Sequence, residues 1–321
     1  MFYKIDGAKI MIKPQAVIIG AGGFIGTNLE LFLVRKGFRV ISVSRSWLNT
    51  KQISSLTRIT ADIVYSRVFE KIVDGADFVF HLAHGTTPAS SMKDLHSDLL
   101  GSVPPSLSLM ESCASADAKL IFLSSGGTIY GIPSEIPTKE NSVLQPISGY
   151  GISKLVIEKY LNLFSFHKNL RYSILRLANP YGPWQTGIHG QGVIGSWVKQ
   201  AIQDQPIQIW GNGETVRDYI YIEDVLNAIW SVIQYNGPSD VFNIGYGVGY
   251  DLNQIMSMLG QQLGKDVKHE YVLARSVDIP ISVLDISKAI NVLSWKPTTS
   301  LKNGLSLTYD WWCHYLNSSR Y

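Results

Sequence analysis

Two side chains four residues apart suggest chemistry: the phenol of Tyr150 and the ammonium of Lys154, in Ser148-Gly-Tyr150-Gly-Ile-Ser-Lys154. Leu155, Ile157, Leu161 and Phe164, with Glu158 and Lys159 between them, predict a helix from about Gly151 to about Phe166. Positions i and i+4 share a helix face, so both groups can point into one cleft. The ammonium would stabilise the tyrosinate and lower the phenol below its ordinary pKa of about 10. Tyr150 then serves as a general base for a sugar or alcohol hydroxyl. A solvated helix face with a half-buried ring is the alternative, and the rest of the chain decides between them.

Elements that could place a ligand beside this pair follow in order. Gln15-Ala-Val-Ile-Ile19 is a short run rich in β-branched residues, followed at once by Gly20-Ala-Gly-Gly23-Phe24-Ile25-Gly26 and a helical pattern through Leu33. Strand, glycine loop and helix in that order form a phosphate cradle. Glycines allow a tight turn and close backbone approach, and the helix N-terminus faces the pyrophosphate of a dinucleotide. Arg39-Val-Ile-Ser-Val43 predicts the next strand, whose end reads the adenosine ribose. An acid there would bond the 2′-hydroxyl of NAD; Ser44-Arg45 instead suits a 2′-phosphate and favours NADP over NAD.

Asp62-Ile63, after a third short strand, is placed to meet the adenine. Asp77 to Ala83 predicts a fourth strand, bringing His81, Leu82, Ala83 and His84 near the cofactor. No carboxylate or cysteine cluster accompanies these histidines, so neither reads as a metal ligand. Ser97 to Ala116 reads as a helix in which Pro104-Pro105 either kinks the axis or occupies the first turn. Lys119 to Leu123 is a buried strand that ends in Ser124-Ser125-Gly126-Gly127-Thr128-Ile129-Tyr130-Gly131. Hydroxyls at the C-terminal end of a parallel strand face the ligand crevice and are candidates to hold a substrate oxygen beside Tyr150.

Composition narrows the class. The 321 residues are 45% hydrophobic and 17% charged, which suits one large globular unit or two lobes sharing a cleft. Cys113 and Cys313 are the only cysteines, too few for a disulfide framework, so a reducing cytoplasm is expected. No apolar run reaches the roughly 18 residues of a membrane helix, and no secretory pattern opens the chain. A formal charge of +3 is too small to argue for nucleic acid. Met11 is a possible alternative start, so residues 1–13 read as an N-terminal extension, dispensable or an ordered arm.

Taken together, the motifs resemble those of extended short-chain dehydrogenases/reductases of the nucleotide-sugar epimerase/dehydratase group, UDP-glucose 4-epimerase-like, from Val17 to about Leu305. The resemblance rests on the glycine loop, Asp62-Ile63, His81-Leu-Ala83, the Ser-Ser to Tyr130-Gly131 stretch, Tyr150/Lys154 and the segments of the second lobe. It implies an α/β fold: a Rossmann doubly wound parallel sheet with a smaller C-terminal α/β lobe for substrate. Residues 14–178 plus about 215–247 would form the dinucleotide-binding domain, and about 179–214 plus 248–321 the substrate lobe. Tyr150 would be the catalytic base and Lys154 would bond the nicotinamide ribose.

The same resemblance gives Asn179, Arg217 and Arg275 to the substrate diphosphate, which arginine's planar fork binds bidentately. Asp224 is expected to cap its helix, and Gly187 to Gly195 to form a loop lipping the cleft. Two departures stand out. The family's catalytic Ser or Thr falls on Gly126, so Ser125 or Thr128 has to supply that hydroxyl. Asp98 occupies a position near the cofactor where many relatives carry Asn.

The implied activity is 4-epimerisation of a nucleoside-diphosphate hexose. NADPH-dependent reduction of a nucleotide-linked 4-keto-6-deoxysugar is the alternative, and a non-catalytic cofactor-binding homologue a second one. A homodimer is expected from the resemblance, through the helices at Ser97–Ala116 and Gly151–Phe166.

Overall fold

The structure is a computed structural model describing residues 2–5, 8–11, 13–64, 69–186, 192–274 and 279–318. A hairpin of β1 (Phe2–Ile5) and β2 (Ala8–Met11) precedes β3 (Gln15–Ile19). Helix α1 (Phe24–Arg35) is followed by β4 (Arg39–Ser44), β5 (Leu56–Thr60), α2 (Phe69–Val73) and β6 (Phe78–His81). A single helical turn, α3 (Pro88–Ser91), leads to α4 (Leu95–Ser115), β7 (Lys119–Ser125), α5 (Gly149–Lys168) and β8 (Tyr172–Leu177). Then come β9 (Asn179–Tyr181), α6 (Val193–Ile202), β10 (Ile207–Trp210), β11 (Val216–Tyr221), α7 (Ile222–Gln234) and β12 (Asp240–Ile244). The chain closes with β13 (Gly249–Tyr250), α8 (Leu252–Leu263), β14 (His269–Val272), β15 (Ile281–Ser282), α9 (Ser287–Leu293) and α10 (Leu301–Ser318).

Seven strands form one sheet in the order β12-β8-β7-β6-β3-β4-β5, every pair parallel. Helices cover both faces, so its inner strands read as apolar runs rather than alternating ones: every residue of β3 and β8 is buried. One apolar cluster runs through Val17, Phe122 and Ile157; another, through Ile18, Phe80 and Leu175, continues into the second lobe at Trp197 and Leu259. That lobe contains a small sheet, β13-β11-β15 with β9 on β11, and the parallel pair β10-β14. The strand order reverses between β3 and β6, and a Rossmann-type sheet binds its ligand at such a reversal.

Three local features refine the sequence expectations. Pro104 and Pro105 lie in the middle of the 21-residue α4, which continues through them rather than starting at them. Helix α5 begins two residues before Gly151, where the Ser148 side chain accepts from the Gly151 N–H, so Tyr150 sits in its first turn. Asp224 is not the cap of α7: Tyr221 holds that position. The Asp224 carboxylate instead accepts from the backbone N–H groups of Thr298 and Thr299 and the Thr298 hydroxyl, each at 2.9 Å, tethering the segment before α10. None of the described helices is long and apolar enough to cross a membrane.

Candidate active site

The loop from β3 to α1 has the shape of an anion cradle. Gly20 adopts φ +91°, and a Cβ there would lie 2.7 Å from the Ala83 nitrogen, so only glycine lets the loop pass the end of β6. A Cβ on Gly26 would meet the Gly20 carbonyl oxygen at 2.5 Å, and one on Gly22, which sequence reasoning passed over, would meet the Ser46 carbonyl oxygen at 1.7 Å. Gly23 is the N-cap of α1 with no side chain capping it, and the first turn, which includes Phe24 and Ile25, has no acidic residue. The exposed N–H groups and positive dipole end are thus left for an anionic group, and the loop fits a dinucleotide pyrophosphate.

Ser44 ends β4, and Arg45 beside it has a side chain 68% exposed, 3.9 Å from the Asp62 carboxylate. Asp62 also accepts from the Val64 N–H at 3.1 Å. Ile63 packs at the edge of the core, and Leu82 and Ala83 are half-buried beyond β6.

Tyr150, Lys154 and Ser125 come together where α5 meets the end of β7. The Ser125 hydroxyl lies beside the half-buried Tyr150 phenol and favours its ionised form. The His84 ring packs on Tyr150 edge to face, centroids 4.4 Å apart. Here the structure departs from the expected electrostatics. Burial, followed by the Asp98 charge, pushes the phenol up to about 12, with the Ser125 hydroxyl opposing. The Lys154 ammonium lies 5.7 Å from the Tyr150 ring centroid and donates to the Leu123 carbonyl at 2.8 Å. Burial draws Lys154 down to about 7, with Glu158 and Asp98 opposing. In the protein alone the ammonium does not acidify the phenol, because desolvation outweighs a cation occupied elsewhere.

Gly126 lies on the sheet side of the same turn, its N–H donating to the Leu177 carbonyl at 2.7 Å. A Cβ there would meet Leu284 Cδ1 at 2.5 Å, so Leu284 fills the space that a side chain at 126 would need. Two hydroxyls remain: Ser125 on the phenol, and Thr128, whose Oγ1 is buried with no hydrogen-bond partner. An unmet buried hydroxyl invites a ligand oxygen.

Asp98, expected at the cofactor, spends both oxygens on protein donors: His84 at 3.2 Å and Thr86 on one, Ser153 at 2.6 Å on the other. Sequence reasoning missed Thr86 and Ser153; a buried helical acid needs such donors, and Ser153 beside Lys154 was the available signal.

Asn179 and Arg217 lie two positions apart on paired strands, since Asn179 pairs with Tyr219. The Asn179 amide donates to the Asp218 carbonyl at 3.1 Å, while Arg217 Nη1 donates to the carbonyls of Val216 and Ile279 at 2.9 and 2.5 Å. Arg275 and residues 187–191 lie outside the described residues. Behind the site, Glu158 of α5 holds Arg176 bidentately at 2.7 and 3.1 Å. Arg176 donates to the Tyr130 hydroxyl at 2.9 Å, Tyr130 to Asn243 at 2.7 Å, and Asn243 to the carbonyls of Thr138 and Asp285 at 2.9 and 3.2 Å. Among the described residues no group of His, Cys, Asp and Glu could hold a metal ion.

Residues 16–245 match the model of the NAD-dependent epimerase/dehydratase family. The chain belongs to that family. A dTDP-4-dehydro-6-deoxyglucose reductase of Escherichia coli is 31% identical over 310 residues, 91% of this chain and 96% of that protein. The crystal structure of a UDP-glucose 4-epimerase from Thermotoga maritima, with UDP-glucose, superposes with a TM-score of 0.88 at 34% identity, covering 94% of this chain and 99% of that one. That of Thermus thermophilus, in complex with NAD, gives 0.86 at 25% identity, covering 93% and 99%.

Proposed function

We propose that the protein is a nucleotide-sugar 4-epimerase of the UDP-hexose type. The observation that carries this reading is the junction of Tyr150, Ser125 and Lys154 at the end of β7, in a family member whose glycine loop is shaped for a dinucleotide. Tyr150 takes the proton of the sugar 4-hydroxyl and returns it, and Ser125 holds the phenol in place. The unpaired Thr128 hydroxyl meets the sugar oxygen in place of the family hydroxyl missing at Gly126. Asn179, Arg217 and Arg275 hold the diphosphate, so that only the sugar turns. When bound, the nicotinamide cofactor supplies the acceptor and donor for the C4 hydride. Lys154 bonds its ribose, and the charge of the oxidised ring would draw down the raised phenol pKa.

Purified protein given UDP-glucose without added cofactor should form UDP-galactose. Tyr150→Phe should lower kcat by at least about 10²-fold with the fold intact. No epimer from UDP-glucose or UDP-N-acetylglucosamine would overturn the reading.

A second reading, NADPH-dependent reduction of a nucleoside-diphosphate 4-keto-6-deoxysugar, is favoured by a phenol held protonated, which suits an acid, and by the Escherichia coli reductase relative. NADPH consumption with dTDP-4-keto-6-deoxyglucose would select it. Ser44 and the largely exposed Arg45 support NADP over NAD in either case. We also infer a homodimer through α4 and α5, which leave Leu99, Leu100, Leu163 and Phe166 exposed.

A further inference from the structure

We propose that Asp98 is a positioning residue of the Tyr150 site: it fixes His84 with Nδ1 as a hydroxyl acceptor and sets a permanent negative charge beside the phenol. This rests on the reading of Tyr150 as the proton-transfer group.

The geometry starts from a carboxylate that should not be comfortable. Asp98 lies on α4 with its side chain 1% exposed, and a carboxylate taken from water keeps its charge only if donors replace the lost hydration. Three do: His84 Nε2 and the Thr86 hydroxyl on Oδ1, and the Ser153 hydroxyl on Oδ2. Burial pushes the acid upward, but the bonds from His84, Ser153 and Thr86 outweigh it and hold it near 2. These bonds also join the 84–86 loop to α5 at the residue before Lys154.

The His84 side chain is 6% exposed. Burial pulls its pKa down to about 4, against the Asp98 bond, so the ring is neutral at pH 7. Its one ring proton then lies on Nε2, facing the carboxylate. Nδ1 is left as a buried lone pair with no partner among the described residues. A buried acceptor of this kind requires a donor, and either a ribose hydroxyl of the cofactor or a hydroxyl of the sugar supplies that chemistry.

The charges around the phenol are few. Asp98 of α4 is the anion acting on Tyr150, and His84 is neutral. Lys154 of α5 lies 5.7 Å from the ring, and Ser125 of β7 contributes a hydroxyl. Buried His81 of β6 lies near His84, with Nε2 2.7 Å from the Ser106 hydroxyl, and Glu158 acts on Lys154. Removing the Asp98 charge should make the tyrosinate easier to form.

Three measurements test this without turnover. NMR of isotope-labelled histidine should show His84 as the Nε2–H tautomer. The ultraviolet titration of Tyr150, read as the difference from Tyr150→Phe in the same background, should move about one pH unit lower in Asp98→Asn. It should stay in place in Ser153→Ala, which loses a bond but keeps the charge. Calorimetry of His84→Phe with NAD, NADP and UDP-glucose should show about tenfold weaker binding of one class; a weaker dinucleotide identifies the ribose as donor, a weaker UDP-glucose the sugar. The Nδ1–H tautomer, an unmoved titration in Asp98→Asn, or unchanged binding of all three ligands by His84→Phe would each overturn the proposal. Failure of the epimerase reading shows separately, as absent epimer in the unmodified enzyme.

Discussion

Restoring the family hydroxyl by Gly126→Ser should destabilise the protein unless Leu284 is shortened as well. A Cβ at 126 would lie 2.5 Å from Cδ1 and 3.0 Å from Cδ2 of Leu284, and 3.2 Å from the Arg176 carbonyl oxygen. Leu284 is 1% exposed and its N–H is bonded to Asp218 at 3.3 Å, so its methyls have no open space to swing into. Overpacking of this kind costs about 1–3 kcal/mol. The backbone at 126 does not need glycine's positive φ, so the loss of unfolded-state freedom returns about 0.4–1 kcal/mol. A net destabilisation of about 1–2 kcal/mol remains.

Leu284→Ala alone removes buried apolar contact and should cost about 2–5 kcal/mol. In the double variant the serine enters vacated space, giving a favourable coupling of about 1–2 kcal/mol. Urea unfolding of the four proteins measures the cycle, and epimer formation shows whether the new hydroxyl works. A Gly126→Ser protein as stable as the parent, or additivity within about 0.5 kcal/mol, would refute the reasoning.

Other expectations follow from the same geometry. Asp98 has a folded pKa of about 2, below its ordinary 3.8, so its contribution of about 2 kcal/mol is present above the unfolded value and lost as pH falls through about 2. Asp98→Asn, which lacks that contribution at every pH, should therefore begin to unfold in acid at a higher pH than the parent, while its stability depends less on pH across that window. Glu158→Gln strands a guanidinium with a 5% exposed side chain and should cost about 3–5 kcal/mol by urea melt; a loss under 1 kcal/mol would remove Glu158 as its main partner. Arg45→Ala should weaken NADP by about tenfold or more while sparing NAD, and equal effects on both would exclude a 2′-phosphate contact.

Much of this architecture was legible because its signals are local. Gln15–Ile19, Tyr172–Leu177 and Ile207–Trp210 coincide with the strands read from their apolar runs, and the glycine loop sits between strand and helix as its spacing required. What the sequence hid depends on contacts across the chain. The pKa of Tyr150 is set by burial and by Asp98, 52 positions earlier on another helix, and the i, i+4 spacing to Lys154 says nothing of either. Lys154 could not be seen to reach the Leu123 carbonyl. Leu284 in the space beside Gly126 brings together residues 158 positions apart, and Asp224 reads as a cap until Thr298 and Thr299 arrive from the end of the chain. Pro104-Pro105 argued locally for a kink or a helix start, yet the sheet beneath and α5 alongside support α4 through both.

The linkage from Glu158 through Arg176 and Tyr130 to Asn243 runs from the helix of the phenol to the carbonyls of Thr138 and Asp285. The helix that carries the phenol is thereby braced, through largely buried hydrogen bonds, against segments far later in the chain. Under the proposed reading, a free hexose lacking the diphosphate handle should turn over slowly even at saturation, because the binding energy of that handle would no longer be spent on orienting the sugar.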